Sequence, residues 1–223
     1  MTTPAPLVVP IFAMPFAVVE PGSTADLNAQ LAALCLSRAT AEYADPQAPR
    51  DRLCFRSCED FFEWDLEAVS GLRRAMLGGV CEVVMAASHY TQAELQALKV
   101  QARARFALVR PNGCLPGTTA PMASWYALYC VAAPPPAPDR PDSATLRLYG
   151  IRNGTMFKDA ANYRLRTPFG DSHYVWRPVA GQMAVFPASI LHEVGLNRAQ
   201  SDLLLVMARV RFAHGGEGAA PPW

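Results

Sequence analysis

The sequence predicts an α+β fold, in which a layer of helices packs outside a mostly antiparallel jelly roll. Two patterns lead to this prediction. Residues 1–102 show apolar residues at helical spacing after a first strand, and residues 103–213 contain six short apolar segments separated by turns. With 223 residues the chain is long enough for one large domain, so we expect a single domain over 1–213 and a loose tail over 214–223.

Three helices are expected in the first half of the chain. Ser23 and Thr24 can cap a first helix that runs to about Tyr43. Asp65 can cap a second, longer helix, and a third short helix is expected over 92–102. Apolar residues of the second helix form one stripe, which comprises Leu66, Val69, Met76, Val80, Val83 and Val84.

Six segments of the second half have the composition and length of β-strands. They are rich in branched and aromatic residues and end at Pro, Gly or Asp. The segment "APPPAPDRPD" between the second and third is stiff and polar at its end, which is typical of a surface loop. In chain order the six segments are "RFALVRP", "SWYALYCVA", "ATLRLYGIR", "HYVWRPV", "GQMAVFP" and "DLLLVMARVRF".

Charge and hydropathy argue against nucleic-acid and membrane partners. The net charge is +1 and the charges form no long block of one sign, so the sequence lacks the basic surface that nucleic acid or an anionic membrane selects. The apolar opening "APLVVPIFAMPFAVV" is broken by Pro6, Pro10 and Pro15, which is unlike a signal peptide or a membrane helix. We therefore expect a cytoplasmic protein.

The six cysteines are expected to be reduced thiols. They are spread through the chain without any CxxC pair, and a reducing compartment keeps such residues unpaired. Cys54 and Cys58 are four residues apart and could share a helical face. Two thiolates do not complete a tetrahedral zinc site, so we interpret the cysteines as small buried hydrophobes.

The stretch "FPASILHEV" places His192 after an apolar strand and a turn that begins at Pro187. A single imidazole cannot hold a catalytic metal, so the interpretation of His192 depends on the partners that the rest of the chain supplies. The alternative is a histidine held by backbone hydrogen bonds. Both interpretations stay open from the residues alone.

The order of the signals resembles that of a known enzyme superfamily. A Pro-rich first strand "PIFAMPF" and the helix start "LNAQL" are followed by "SWYALYCV", "LRLYGIR" and "RPVAGQMAVFPASILHEV". This order is similar to that of the bacterial and phage 2-oxoglutarate/Fe(II)-dependent oxygenases of the prolyl-hydroxylase-like branch. The resemblance implies a double-stranded β-helix, Fe(II) and 2-oxoglutarate as cofactors, and His192 at the distal iron-binding position.

The resemblance also implies two further iron ligands, which this chain lacks. The superfamily's iron is held by two histidines and one carboxylate, and two of these form a His-x-Asp or His-x-His pair just before the strand "SWYALYCV". Thr118 and Ala120 occupy those two positions. A methyl group has no lone pair and a threonine hydroxyl is a poor ligand for ferrous iron. The sequence therefore predicts a degenerate metal site.

The resemblance implies an arginine about ten residues beyond His192 that binds the carboxylate of 2-oxoglutarate. Asp202 stands there instead. Arg209 and Arg211 are the nearest strand arginines. They lie further along the chain than Asp202 by a distance of roughly 20 Å in an extended strand. They are cofactor-binding candidates only if the strand register differs from that of the superfamily.

Asp171 and His173, in "GDSHY", are the best substitutes for the missing ligands. Two residues apart on a strand, they would point to the same side and complete the donor set with His192. The alternative is a turn at Asp171 and a histidine at the rim. Glu193 is adjacent to His192, so its side chain should point to the opposite face of a strand.

A pocket is expected at the mouth of the barrel. Alternation sends Trp125, Ala127 and Tyr129 to one side of a strand and Tyr126, Leu128 and Cys130 to the other, and one of these sets must face the cavity. Arg152 matches an arginine at the end of the corresponding superfamily strand. The predicted pocket residues are Thr118, Ala120, Trp125, Tyr129 and Arg152.

Two functions remain as hypotheses. The first is a non-standard oxidoreductase that oxidises a small-molecule or peptide substrate at an altered metal site. The second is a catalytically inactive jelly-roll binding module or partner protein that has lost the iron triad. A jelly roll can also pair with a second copy, so a homodimer stays open.

Overall fold

Two antiparallel sheets and three helices make up the described part of the chain. The computed structural model describes residues 13–22, 25–48, 51–136, 139–150, 159–160, 164–165 and 173–214. The helices are α1 (Ala25–Ser37), α2 (Glu67–Ala87) and α3 (Gln92–Gln96). The strands are β1 (Ala17–Val19), β2 (Cys54–Arg56), β3 (Lys99–Val109), β4 (Leu115–Thr118), β5 (Trp125–Ala132), β6 (Leu146–Tyr149), β7 (His173–Trp176), β8 (Met183–Pro187), β9 (Leu191–Val194) and β10 (Leu203–Ala213).

The larger sheet has six strands in the order β1-β8-β5-β10-β3-β2, and the smaller has four in the order β4-β9-β6-β7. Two long strands organise the larger sheet. β10 pairs with β3 from Leu203 opposite Val109 to Ala213 opposite Lys99, and its other edge pairs with β5. This arrangement confirms the predicted jelly roll with an N-terminal helical layer.

The helices cover one face of the larger sheet. Along α2 a buried stripe faces the sheet, as its apolar spacing predicted. A Cβ at Gly79 would stand 2.7 Å from the Met183 side chain and 3.1 Å from that of Val19, so glycine allows α2 to approach β8 and β1 closely. The core between the helices and the sheet includes Leu31, Leu72, Met76, Phe106, Tyr129 and Val206.

A second core lies between the two sheets. Alternate residues of the larger sheet point away from the helices and meet the inner face of the smaller sheet. Both faces of the larger sheet are therefore buried, which explains the nearly continuous apolar runs of β5 and β10. The second core includes Leu128, Leu146, Phe186, Leu203 and Leu205.

Several predicted boundaries need correction. The first helix ends at Ser37 rather than near Tyr43. Leu66 rather than Asp65 is the N-cap of α2, and it makes no side-chain cap hydrogen bond. The third helix is only five residues long, because β3 begins at Lys99 and its pairing with β10 takes the residues that helical spacing had suggested.

The cysteines differ from the predicted uniform burial. All six are free thiols, but only Cys35 and Cys130 are buried. Cys54 lies in β2 and not on a helix, and its thiol donates to the backbone oxygen of Cys114 at 2.8 Å. Separately, the described residues contain no helix of the length and apolar character that a bilayer crossing requires.

Candidate functional site

His192 lies in the middle of β9, on the inner face of the smaller sheet. It is flanked by β4 and β6, where Thr118 and Leu148 stand opposite it. The turn before β9 is closed by a hydrogen bond from the Ile190 amide to the Pro187 oxygen, 3.1 Å long. Only 4% of the histidine surface is exposed. The interior of the jelly roll therefore contains a nearly buried imidazole.

One ring nitrogen of His192 is satisfied by the backbone. Nδ1 lies 2.9 Å from the Ile190 carbonyl oxygen, and because a carbonyl only accepts, Nδ1 carries the proton. In the neutral ring Nε2 then holds a lone pair. This atom is buried and has no hydrogen-bond partner within the described ranges. The rings of Tyr126 and Phe186 pack against the imidazole at centroid distances of 4.5 and 5.0 Å.

Burial lowers the pKa of His192, and the hydrogen bond to Ile190 opposes the shift without reversing it. The imidazole is therefore neutral at pH 7 in the folded protein. The unfolded chain, in which a histidine has a pKa of about 6.5, binds the proton more readily.

Acidification should therefore destabilise the fold through His192. Since the unfolded state binds more protons between the folded pKa and about 6.5, the free energy of unfolding falls as pH drops through that window. We expect this loss to be smaller in His192→Gln, whose side chain does not titrate. Urea unfolding of both proteins at pH 7.5 and pH 5.5 measures the difference. Identical losses in the two proteins would contradict burial of a neutral imidazole.

The inner face of His192 opens onto a cavity of about 160 Å³ between the sheets. Its apolar side includes Ala120 and Leu128, and Thr118 lies beside the histidine. Its polar side is formed by residues from β2, β3 and β10 and from the segment after β2. These residues are Arg56, Glu59, Arg105 and Arg209.

The polar side of the cavity contains more positive than negative charge. Arg105 binds Asp45 at 2.6 Å and Glu59 at 2.5 Å, and Arg209 also contacts Glu59. No carboxylate among the described residues lies within ion-pair distance of Arg56. Among the described residues, Arg105 and Arg209 therefore pair with Asp45 and Glu59, whereas Arg56 pairs with neither carboxylate.

Tyr126 lies between the histidine and the arginines. Its ring packs on His192, and its phenol is within electrostatic range of Arg105, Arg209 and Arg56. Burial raises the pKa of this phenol to about 12, although the nearby guanidinium groups oppose the shift. The hydroxyl therefore stays protonated and can donate a hydrogen bond into the cavity.

The ferrous iron that the resemblance implies does not fit the residues around His192. Thr118 stands opposite the histidine, and its hydroxyl donates to the Thr119 oxygen at 3.0 Å. Ala120 adds only a methyl group. Across the described ranges, no group of three His, Cys, Asp or Glu side chains could hold a metal ion. An iron bound here would have one protein ligand where the facial triad has three.

The proposed substitute ligands do not meet His192. In the paired strands Leu148 stands opposite His192 and Tyr149 stands opposite His173. Adjacent residues point to opposite faces, so His173 lies on the outer face of the smaller sheet, which rules out a metal shared with His192. Asp171 lies outside the described residues.

Glu193 also faces outward, as its position next to His192 predicted. Its carboxylate accepts a hydrogen bond from the Tyr149 hydroxyl at 2.6 Å and another from Arg147 at 3.3 Å. These contacts hold β9 to β6 on the outer face. The carboxylate therefore belongs to the scaffold of the sheet and not to the metal position.

Two predicted pocket residues lie on the wrong side of the larger sheet. Trp125 and Tyr129 face the helices, and the Tyr129 hydroxyl binds the Asn28 side chain at 2.6 Å. The opposite set of β5, with Tyr126 and Leu128, faces the cavity. Arg152 lies outside the described residues.

The two arginine candidates on β10 have different environments. Arg209 lines the same cavity as His192. Arg211 lies two residues further along the strand, where its Nε donates to Gln101 at 2.7 Å. Sequence reasoning missed Arg56, Glu59 and Arg105. A usable signal was the charge of Arg105, which alternation places on the same face of the strand as Ala107 and Val109.

Comparison with known proteins shows the fold and no close relative. No protein-family model matches this sequence, and no curated protein matches it. A prolyl-4-hydroxylase from Pseudomonas putida matches with a TM-score of 0.58 and 19% identity, over 90% of this chain and 93% of that chain. The chain therefore has the fold that the resemblance implied.

Two other solved structures lead to the same conclusion. The non-heme alpha ketoglutarate dependent carbocyclase SnoK from nogalamycin biosynthesis has a TM-score of 0.60 and 10% identity, over 88% of this chain and 79% of that one. A 2OG-Fe(II) oxygenase family oxidoreductase from Burkholderia pseudomallei has a TM-score of 0.52 and 12% identity, over 88% and 84%. The resemblance in fold thus extends over most of each chain.

Proposed function

We propose that this chain is a diverged member of the 2-oxoglutarate/Fe(II) oxygenase superfamily, and that its cavity binds a small carboxylate-bearing molecule without the superfamily's iron triad. One observation carries the proposal. Arg56 lines the cavity without a carboxylate partner among the described residues, beside Arg105 and Arg209, which share Glu59. A guanidinium group in this setting is suited to bind a carboxylate through two parallel hydrogen bonds.

The surroundings of Arg56 favour an anion. Arg105 and Arg209 are held in place by Glu59, so they contribute a fixed positive field with little loss of side-chain freedom on binding. The protonated phenol of Tyr126 offers a further donor. Because the Arg105 and Arg209 side chains are largely buried, these interactions are stronger than on an open surface.

The size of the cavity limits the ligand. A volume of about 160 Å³ is smaller than the pockets that hold drug-sized molecules, which begin at about 300 Å³. A short organic acid suits this volume better than a peptide side chain with its flanking backbone. We therefore place the ligand among small metabolite-sized carboxylates.

Oxidation at an altered metal site is the second candidate function. It is favoured by the buried lone pair on Nε2 of His192, since a neutral imidazole with its other nitrogen bonded to a carbonyl is the form that binds metals. The described residues supply no second or third ligand beside it. For this reason carboxylate binding is the better supported function.

Calorimetric titration with glutarate tests the proposal. We expect wild-type protein to bind glutarate, and Arg56→Ala to weaken the affinity by about 10- to 100-fold, the range of a charged hydrogen-bonded pair. Arg52→Ala is the matched control, because Arg52 is exposed on the same segment and does not line the cavity. Dimethyl glutarate, which has no charge, should not bind. Equal affinities in the two variants, or no binding by wild type, would overturn the proposal.

Metal analysis separates the two candidate functions. Protein purified after growth with added iron is expected to contain far less than one iron per chain. Stoichiometric iron that disappears in His192→Ala, together with succinate release from 2-oxoglutarate, would instead establish the oxidoreductase.

A further inference from the structure

We infer that the ligand of this cavity is a hydroxycarboxylate, whose hydroxyl group donates a hydrogen bond to Nε2 of His192 while its carboxylate binds at Arg56. This inference rests on the proposed carboxylate-binding function and adds the chemical class of the ligand. Its basis is the buried, unpartnered lone pair on Nε2 of a histidine that lines the cavity, at the position that the resemblance assigns to an iron ligand. The ligand hydroxyl would bind this nitrogen in place of a metal.

The described protein groups around the histidine do not satisfy this lone pair. The Thr118 hydroxyl already donates to the Thr119 oxygen at 3.0 Å, and Ala120 has no donor in its side chain. The rings of Tyr126 and Phe186 cover the imidazole. An acceptor that is buried without a partner destabilises the protein, so a ligand that supplies a donor gains affinity there.

A lone water molecule is a poor substitute for the ligand hydroxyl. A buried water typically makes about three hydrogen bonds, but Ala120 and the rings of Tyr126 and Phe186 provide an apolar surface around His192. A hydroxyl that is covalently attached to the ligand carries no separate cost of immobilisation. The lone pair on Nε2 therefore favours an acid that carries its own hydrogen-bond donor over an acid that binds together with a water molecule.

The charge of the cavity decides between a hydroxyl and an amino group. An ammonium group could also donate to Nε2, but Arg56, Arg105 and Arg209 line the same cavity, and Arg56 has no carboxylate partner among the described residues. A further cationic group would be repelled by these guanidinium groups. A neutral hydroxyl donates the same hydrogen bond without that repulsion, so a hydroxy acid is preferred over an amino acid.

Titration with matched acids tests the inference. The probes are both enantiomers of 2-hydroxyglutarate, and glutarate, which lacks only the hydroxyl. We expect one enantiomer to bind wild-type protein about tenfold more tightly than glutarate, the upper range for one neutral hydrogen bond. In His192→Phe, which keeps a flat ring but has no lone pair, this ratio should fall to about one. In Arg56→Ala the affinities for both acids should fall by the same factor, so that their ratio is retained.

The outcomes separate this inference from the function on which it rests. If glutarate binds and neither hydroxy acid binds more tightly, the hydroxyl contact is wrong and the carboxylate site stands. If no acid binds, the proposed function itself is overturned. A ratio that is unchanged in His192→Phe also contradicts the inference. Should that variant not fold, ¹⁵N NMR of the wild-type imidazole decides, because the Nε2 resonance should shift with the hydroxy acid and not with glutarate.

Discussion

Replacing Glu59 with glutamine is expected to destabilise the fold while it tightens anion binding. Glu59 bridges Arg105 and Arg209, and all three side chains are largely buried. Removing the charge from one partner of such a cluster leaves cations poorly solvated, and we expect a loss of about 2–3 kcal/mol, below the range for complete burial because some exposure remains. The cavity meanwhile gains one net positive charge, which should raise the affinity for glutarate about tenfold.

The control for this variant is Glu63→Gln. Glu63 lies four residues further along the chain, is exposed and does not line the cavity. Urea unfolding and glutarate titration of both variants provide the comparison. If Glu59→Gln lost stability without any gain in glutarate affinity, the cluster would be structural and the anion site would lie elsewhere.

Replacing Phe106 with alanine should cause the largest loss of stability, about 3–5 kcal/mol. Phe106 is fully buried on the helix-facing side of β3. Its ring lies 5.2 Å from that of Phe55, 6.0 Å from that of Phe61 and 6.1 Å from that of Trp64. The substitution removes the ring of β3 that packs against Phe55 of β2 and against the 3-10 turn at Phe61–Glu63.

Two further variants identify the cause of that loss. Phe106→Leu retains most of the buried volume and should cost much less than the alanine variant. Tyr90→Ala removes an aromatic ring that is 38% exposed, and it should change the free energy of unfolding little. Chemical unfolding monitored by tryptophan fluorescence measures all three. Equal losses for Phe106→Ala and Tyr90→Ala would contradict the packing described for β3.

The long elements of this fold could be predicted from the sequence, but the short ones could not. The long apolar run of β10, the length of β3 and the stripe of α2 extend over enough residues to be recognised. β2 and β9 have three and four residues, too few for a clear pattern. β4 contains Pro116 and Gly117, which argue against a strand unless it lies at an edge, as β4 does.

The site was only partly predictable, because it depends on how the strands pair and on which face of each strand meets the cavity. The replacement of two iron ligands could be recognised from Thr118 and Ala120 in the sequence. Which face of β5 meets the cavity depends on where the helices pack, and no local pattern contains that information. Likewise Arg56 and Arg105 are distant in sequence and meet only because β2 and β3 pair. Contacts of this kind require the sheet order.

The strands of the larger sheet contact the helices on one side, and on the other side a few of their residues line the cavity. On β10, Val206 and Ala208 pack toward the helices, whereas Met207 and Arg209 line the cavity. Protein engineers could thus vary the cavity-lining Leu128 and Met207 to change ligand choice, and leave the helix-docking surface unaltered. The same separation would allow cavity residues to be substituted during evolution while the core that faces the helices is retained.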